Sequence, residues 1–324
     1  MPQSSAEIPA SLQAALERDT ARTGQSTSFV VTAAHGGARL DMRPRPFCEK
    51  YERLIAAAMT IPAITTAIVH PCDDVLLQTV VEAARIRLIE PILVGPAAKV
   101  RAAAEKGTID ISAFPLIDAA HSHDAAARAV ALVREDRVDA LMIGSLHADE
   151  LMGPVVARET GIRKERRISH CFIIDMPGHR DPLIITDAAV NIAPTLEDKA
   201  DIVQNAIDLA KALHFDELHV VILSAVEAIK MAERRQIARR ANILVAPDRE
   251  AGDKLAKCMS LLAGADAAGI VLGARVPIIA TSPAHALIAR IASCAVASLS
   301  AAAQRHPRSR PVAIPPTKRT LLEN

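Results

Sequence analysis

The stretch Leu262–Leu299 decides the fold, and it reads LAGADAAGIVLGARVPIIATSPAHALIARIASCAVASL. A short apolar run over Ile270–Leu272 is followed by a Gly-Ala-Arg turn, and a second apolar run covers Pro277–Ala280. Thr281–Pro283 then opens a long alanine-rich segment. This pattern predicts a strand, a loop, a second strand and a long helix, in that order.

Ser282 and Pro283 are residue types that typically begin a helix. A serine hydroxyl accepts a hydrogen bond from a first-turn amide, and proline in the first turn loses a donor that has no partner. The same helix end has free amides and a positive dipole end, and Arg275 in the preceding loop adds a full charge. The position is therefore either a simple helix cap or a site that binds an anion.

Composition favours a small-molecule partner. The chain has 324 residues, 50% of them hydrophobic, which is enough for two compact domains with a cleft between them. Its 38 basic and 37 acidic residues give a net charge of +1, which argues against binding of nucleic acid or a membrane surface. Aromatic residues make up only 2%, so base-stacking platforms are not expected.

The five cysteines are scattered, without the paired spacing of a metal site or a disulfide framework. We therefore expect no bound metal and a reducing compartment. No apolar run approaches the length of about 18 residues typical of a membrane span, and the N-terminus lacks a signal-peptide pattern. These observations predict a cytoplasmic protein.

From Tyr51 to Gly144 the chain alternates apolar strand-like runs with helical segments. Such alternation predicts right-handed crossovers and a parallel sheet, and hence an α/β fold. Residues 1–48 are polar and irregular, so we expect a disordered arm there. The basic, proline-rich residues 304–324 are expected to form a disordered tail.

The loop Gly144–Glu150 follows an apolar strand and contains Ser145, His147 and Asp149. Ligands of open α/β sheets bind where strands end, so these side chains are candidates for a shared crevice. A serine, a histidine and an aspartate close in sequence are not thereby a catalytic triad, because triads are recognised by geometry. The alternative is a polar turn in which Asp149 caps a helix.

A second unit begins between Pro154 and Arg158, where the chain becomes strongly charged. In its strand-to-helix connection, Thr186, Asp187 and Asn191 either bind a ligand or satisfy the backbone of their own turn. A later helix, predicted over residues 226–240, carries four arginines. We interpret them as a solvated face rather than a nucleic-acid patch.

At this point the residues carry a resemblance. Leu141–Met152, Ile184–Leu209, Asn242–Leu255 and Leu262–Leu299 resemble segments of the phosphate acetyltransferase and phosphate butyryltransferase family, in the same order. The resemblance implies two α/β domains around a cleft, as in isocitrate and isopropylmalate dehydrogenases. The first domain would comprise residues 49–156 plus 266–303, and the second, abridged domain residues 157–265.

The family transfers an acyl group between coenzyme A and phosphate, and the resemblance implies a carboxylate that deprotonates the coenzyme A thiol. Coenzyme A would be a substrate, with no permanently bound cofactor, and the protein would be a homodimer. Ser282 matches the family serine near the reacting atoms. The arginine that usually follows it is replaced by Pro283, and an aspartate seven positions beyond it by Ala289.

Two functions of different class follow. The first is an active phosphate acyltransferase that binds acyl-CoA and phosphate, with Ser282 at the reacting centre and His285 or Asp187 as base. The second is a noncatalytic acyl-CoA- or phosphate-binding module. A dehydrogenase is disfavoured because the first strand is not followed by Gly-x-Gly-x-x-Gly. The substrate-binding residues expected for the first function are Arg275, Thr281, Asn191, Thr186, Ser145 and His147.

Overall fold

The protein is described here from a computed structural model, which describes residues 9–23, 30–34, 37–41, 49–176, 179–224, 241–263 and 266–305. The basic helix predicted over residues 226–240 and most of the tail expected to be disordered, residues 306–324, lie outside these ranges.

The first half alternates strands and helices at positions close to the predicted ones. Its elements are α1 (Ala10–Thr23), β1 (Val30–Ala34), β2 (Gly37–Asp41), α2 (Glu49–Ala58), β3 (Ile64–Val69), α3 (Asp74–Arg85), β4 (Ile89–Gly95), α4 (Ala97–Gly107), β5 (Leu116–Asp118), α5 (Ser122–Arg134), β6 (Ala140–Ile143) and α6 (Ala148–Val156).

The second half contains the antiparallel strands and the return to the first sheet. Its elements are β7 (Ser169–Ile174), β8 (Leu183–Thr186), α7 (Leu196–Ala212), β9 (Val220–Ile222), β10 (Ile243–Val245), α8 (Arg249–Ala263), β11 (Ala268–Leu272), β12 (Ile278–Ile279) and α9 (Leu287–Arg305).

All strands except the β1–β2 hairpin form one sheet, in the order β5-β4-β3-β6-β12-β11-β7-β8-β10-β9. The group from β5 to β12 is parallel, as predicted for the first half. Strands β11 and β7 are antiparallel to their neighbours, and β8, β10 and β9 are again parallel to one another. The predicted α/β class is confirmed, and the sheet continues across the predicted domain crossing.

Polar side chains fix several helix starts. The Asp73 carboxylate accepts a hydrogen bond from the Leu76 amide at 2.7 Å and begins α3. Thr195 and Asp198 form a reciprocal cap of α7. Asp248 caps α8, with its carboxylate 2.8 Å from the Ala251 amide.

Apolar packing differs between the two faces of the sheet. One face is covered by α2, α3, α4, α7 and α9 in a single core that spans both halves. The other face carries two separate cores, one under α5 and α6 and one under α8. Between these two cores, Gly269 lies close to Ala280 and His170, and we call these three residues the central floor.

Helix α9 is the centre of the continuous core, because nearly all of its residues from Leu287 to Ala301 are buried. By length and composition it is the one described helix that is apolar enough to cross a membrane. However, 78% of its most apolar window is buried inside the protein. Burial of this kind is typical of a core helix.

The N-terminal arm is not wholly irregular, contrary to the expectation for residues 1–48. Leu12, Ala15 and Leu16 are buried in the same core as α9. Their spacing of three and four residues places them on one face of α1. The Arg85 guanidinium also donates a hydrogen bond to the Ser11 carbonyl at 2.6 Å. The sequence prediction missed this short amphipathic stripe because polar residues surround it.

Gly269 lies where the chain at β11 closely approaches the end of β12, and a Cβ there would lie 2.3 Å from the Ala280 carbonyl oxygen. We expect Gly269→Ala to lower the free energy of unfolding by about 2–3 kcal/mol, because backbone of the sheet would have to move. Urea denaturation followed by circular dichroism measures the change.

Gly153→Ala is the matched control, since a Cβ at Gly153 meets no atom within 4 Å. We expect it to leave stability unchanged or to raise it by up to about 1 kcal/mol, because Gly153 lies inside α6 and alanine favours a helix. Equal stability of the two variants would contradict the close approach at Gly269.

Candidate active site

The loops after β3 and β6 meet at one edge of the sheet, where the carboxyl ends of β3, β6 and β12 lie together. We call this the carboxyl edge. The Ser145 hydroxyl donates to the Asp73 carboxylate at 2.6 Å, and the Ser145 amide donates to the His70 carbonyl at 2.9 Å. Gly144 permits this contact, since a Cβ there would lie 2.1 Å from the Val69 carbonyl oxygen.

The turn Thr281–Ala286 follows β12 at the same edge, and α9 begins only at Leu287. The predicted helix start at Ser282 is therefore wrong by about one turn. The Ser282 hydroxyl accepts a hydrogen bond from the Ala284 amide at 3.2 Å, and the His285 amide donates to the Ser282 carbonyl at 3.0 Å. These local bonds form a separate turn ahead of the helix.

Asp266 occupies the amide end of α9. Its carboxylate accepts a hydrogen bond from the Ala286 amide, so a negative charge of the protein already lies at the positive end of this helix. The sequence analysis expected these amides to be free for a substrate anion. An anion that binds here therefore needs a cation beside it.

Arg290 supplies that cation from the first turn of α9. Only 2% of its surface is exposed, and its Nη1 donates to the Pro283 carbonyl at 3.3 Å. A small cavity opens here, lined by Asp73, Leu76, Ile143, Gly144, Thr281, Pro283 and Arg290. The guanidinium thus borders the space between the Thr281–Ala286 turn and the Asp73–Ser145 contact.

His285 is a neutral side chain at ordinary pH. Burial lowers the pKa of its imidazole below the usual value, which outweighs the attraction of Asp266, and Arg290 lowers it further. The Ala267 carbonyl hydrogen-bonds the ring. A neutral imidazole in the same turn as Ser282 has the protonation state that a general base requires.

The Asp187 carboxylate forms several hydrogen bonds within the protein. Its carboxylate accepts hydrogen bonds from the His170 amide at 2.9 Å, from the Val190 amide at 3.3 Å and from the Asn191 amide at 2.7 Å. The Asn191 side chain donates to it as well. With 2% of its surface exposed, this carboxylate holds the loop after β8 together.

Thr186 and Asn191 are also satisfied by the protein. The Thr186 hydroxyl donates to the His170 carbonyl at 3.0 Å. The Asn191 amide group donates to the Ile168 carbonyl at 2.9 Å and accepts from the Arg167 guanidinium at 2.8 Å. These bonds tie the loop after β8 to residues 167–170.

Arg275 is not near Ser282. It precedes β12, whereas Ser282 follows it, so the two residues lie at opposite edges of the sheet, separated by roughly 20 Å of extended chain. The Arg275 guanidinium pairs with Asp136 at 2.8 Å, ahead of β6. The expected cluster of Ser282, Arg275 and Asn191 does not form, because β12 separates Ser282 from Arg275.

His147 lies at the start of α6, and its amide donates to the Glu150 carboxylate at 3.1 Å. The helix predicted after the loop is thus present, but Glu150 rather than Asp149 completes its cap. The Ser122 hydroxyl also bonds Glu150, and this contact, with the His147 amide, lowers the pKa of that carboxyl group. His147 and Ser145 are exposed in one loop at the carboxyl edge.

Sequence reasoning missed Asp73, Asp266 and Arg290. Arg290 and Asp266 stand eight residues after and sixteen residues before Ser282, a separation that no short motif covers. The sequence signal for Arg290 was its charge inside an otherwise apolar helix, because a charged residue is rarely buried without a function or a partner. In the described part of the chain, no group of three or more His, Cys, Asp or Glu residues could hold a metal ion.

Comparisons with known proteins identify the family. The family model described as phosphate acetyl/butaryl transferase matches residues 119–236. A phosphate acetyltransferase of Rhizobium meliloti is 49% identical, over 79% of this chain and 95% of the relative. The chain belongs to the phosphate acetyltransferase and phosphate butyryltransferase family.

Two further comparisons support the assignment. A phosphate acetyltransferase of Rickettsia typhi is 43% identical over 76% of this chain and 83% of the relative. A solved phosphotransacetylase of Streptococcus pyogenes superposes with a TM-score of 0.62 at 17% identity, over 77% of this chain and 98% of that structure, which shows a shared fold. The prediction of a phosphate acyltransferase is confirmed, and nothing in these comparisons supports the noncatalytic alternative.

If Asp187 holds its loop, Asp187→Asn should lower the free energy of unfolding by about 3 kcal/mol, because an amide group cannot accept all of these buried N–H bonds. Asp136→Asn is the control, since Asp136 is 81% exposed and its pairing with Arg275 is worth little. Denaturant unfolding measures both. An Asp187→Asn variant with unchanged stability and no activity would instead identify Asp187 as a chemical group.

Proposed function

We propose that this chain transfers a short acyl group between coenzyme A and phosphate, with the reacting atoms at the carboxyl edge around the Thr281–Ala286 turn. The observation that carries the proposal is the 49% identity to a phosphate acetyltransferase over 95% of that relative. Coenzyme A and acyl phosphate are substrates in one direction, and acyl-CoA and phosphate in the other. The proposal includes no permanently bound cofactor.

In the first direction, the coenzyme A thiol loses its proton to a base, and the sulfur attacks the acyl-phosphate carbonyl carbon. A carbon–sulfur bond forms, the carbon–oxygen bond to phosphate breaks, and phosphate leaves with the electron pair. The free thiol has a pKa of about 8.5, so it needs a base or a cationic neighbourhood near neutral pH. The developing oxyanion needs hydrogen-bond donors.

His285 is the proposed base. It is neutral because burial lowers its pKa, and it shares a turn with Ser282, the residue that matches the family serine. Asp187 is a poor candidate, since its carboxylate already accepts hydrogen bonds from several N–H groups. The imidazolium that forms on His285 would be stabilised by the nearby Asp266 carboxylate.

Arg290 is the proposed phosphate ligand. The arginine that usually follows the family serine is absent, because Pro283 occupies its position. Arg290 borders the same cavity as Thr281 and Pro283 and carries a full, permanent charge. A guanidinium in a buried setting binds phosphate oxygens strongly, since its hydrogen bonds are charge-assisted. Arg275, at the other edge, is not part of this proposal.

Thr281, Ser282, Ser145 and His147 remain proposed substrate contacts at the carboxyl edge. The Ser282 hydroxyl would donate to the developing oxyanion while it accepts from the Ala284 amide. Ser145 and His147 are exposed beside the Asp73 carboxylate, in reach of a ligand that lies along the edge. Their role is binding, because their loop contains no buried nucleophile.

The two-domain arrangement around a cleft, as in isocitrate dehydrogenases, is also proposed. Its support is the pair of separate cores on one face of the sheet, with the central floor between them. We retain residues 49–156 plus 266–303 and residues 157–265 as the two units. A homodimer and a cytoplasmic location remain proposals from the family resemblance and the composition.

The phosphate role of Arg290 is tested by Arg290→Gln. In the direction of acyl phosphate formation, we expect the KM for phosphate to rise about tenfold or more, since a charge-assisted contact is lost. Arg290→Lys, which keeps the charge, should recover part of this loss. Thermal melts establish that each variant is folded.

Arg275→Gln is the matched control, and its KM for phosphate should stay within about twofold of the wild type because Arg275 lies at the other edge. A folded Arg290→Gln variant with an unchanged KM, or an equal rise in Arg275→Gln, would contradict the assignment of the phosphate site.

The base role of His285 is tested by pH profiles of kcat/KM with acetyl phosphate and coenzyme A. Because its pKa is lowered, the neutral base is fully present at pH 7, and the rate should fall only as pH drops through a value below 6.5. His285→Gln should reduce kcat by about 10²-fold or more and remove this limb.

His219→Gln replaces an exposed histidine and should leave the profile unchanged. The base would have to be sought elsewhere if His285→Gln retained both the wild-type rate and the acidic limb.

A further inference from the structure

His170 is a buried polar residue that the mechanism above does not use. It belongs to β7, and only 4% of its surface is exposed. Its backbone is fully engaged, since the amide donates to Asp187 and the carbonyl accepts from Thr186. The ring is different, because no described residue hydrogen-bonds its Nδ1. Buried polar atoms without partners are rare and mark strain, chemistry or a missing ligand.

The ring lies on the sheet face that carries two separate cores. Its centroid is 4.3 Å from that of Phe172, two residues along the same strand, in an edge-on arrangement. Phe172 packs on the core under α8, whereas Ala280 packs on the core under α5 and α6. His170 therefore stands at the boundary of the two cores.

Gly269 lies close to this ring. A Cβ on Gly269 would lie 3.2 Å from Nε2 of His170 and 2.3 Å from the Ala280 carbonyl oxygen. The imidazole thus borders the strand that leads directly to Thr281 and Ser282. Nε2 is therefore the ring nitrogen that faces Gly269. A flip of the ring about its terminal torsion exchanges Nδ1 with Cδ2, so Nδ1 can lie on either edge of the ring.

The imidazole is neutral. Burial lowers its pKa to about 4, despite the attraction of Asp187 and Asp253. A neutral imidazole has one N–H donor and one acceptor nitrogen, which suits an amide better than an anion. Phosphate groups are therefore not expected to bind at this position.

From the unpartnered ring nitrogen, the floor of Gly269 and the adjoining strand to Ser282, we infer that His170 binds an amide of the pantetheine arm of coenzyme A. This inference rests on the proposed function. In coenzyme A, two methylene groups separate the thiol from the first amide, and a second amide follows along the arm. An arm that lies over the central floor, with its thiol at the Thr281–Ala286 turn, brings an amide to His170.

Binding of coenzyme A to the intact protein by calorimetry tests the inference without requiring turnover. We expect His170→Phe, which keeps an aromatic ring but no polar atom, to weaken coenzyme A binding about tenfold. The KM for coenzyme A should rise similarly, while the KM for phosphate and kcat stay within about threefold. His170→Asn, which restores a donor and an acceptor, should recover part of the affinity.

Phe172→Leu is the control for packing, because Phe172 lies on the same face beside the ring and has no polar atom. It should leave coenzyme A binding within about twofold. Unchanged coenzyme A affinity in a folded His170→Phe variant overturns the inference, as does an equal loss in Phe172→Leu. If His170→Phe does not fold, His170→Leu, which also has no polar side-chain atom, decides by the same measurements.

The outcomes separate this inference from the proposed function. A wild-type protein that forms acyl phosphate while His170→Phe binds coenzyme A normally keeps the proposed function and loses the role of His170. A wild-type protein that neither binds coenzyme A nor forms acyl phosphate overturns both.

Discussion

Burial of α9 is the constraint on which the site depends. Leu287, Ile291, Val296 and Leu299 are each almost completely removed from solvent, and side chains of this size contribute about 1.5–3 kcal/mol apiece when buried. The helix belongs to the core that joins both halves of the sheet, and β11 and β12 lead into it between β7 and β6. Because the helix and these strands are fixed, the turn between them has little freedom. The turn holding Ser282 and His285 is placed by packing rather than by its own sequence.

The same packing explains how Arg290 can be buried. A guanidinium in an apolar helix is costly unless polar groups surround it. Here the Pro283 carbonyl accepts one of its hydrogen bonds, and the arginine lines the same cavity as Asp73. Asp266 adds negative charge at the amide end of the same helix. The family position after the serine is occupied by proline, whereas the buried cation lies one helical turn into α9. A charge can thus reach the same space from the helix as from the turn.

The alternation of apolar runs and helical segments predicted the strands and helices of the first half because periodicity is a local property. Caps at Thr195 and Asp248 were predictable for the same reason, since each involves residues three apart. The residues of the site were harder to predict from the sequence. Arg275 and Ser282 are seven residues apart and were expected together, but an intervening strand carries them to opposite edges. Arg290, Asp266 and Asp73 approach the turn only through the tertiary fold, which no local spacing encodes.

In the loop after β8, polar residues at a strand end form hydrogen bonds within the protein, so their residue types alone do not assign them to a substrate. Asp187, Thr186 and Asn191 have the residue types of a binding site, yet their polar atoms bond to backbone and to one another. His170, one strand away, looks like a core residue in sequence, yet its ring retains a nitrogen that no described residue bonds. Residue type alone does not distinguish these four side chains. Unsatisfied hydrogen-bonding capacity in a buried setting is the better guide, because a ligand gains most where the protein has left a group unpaired.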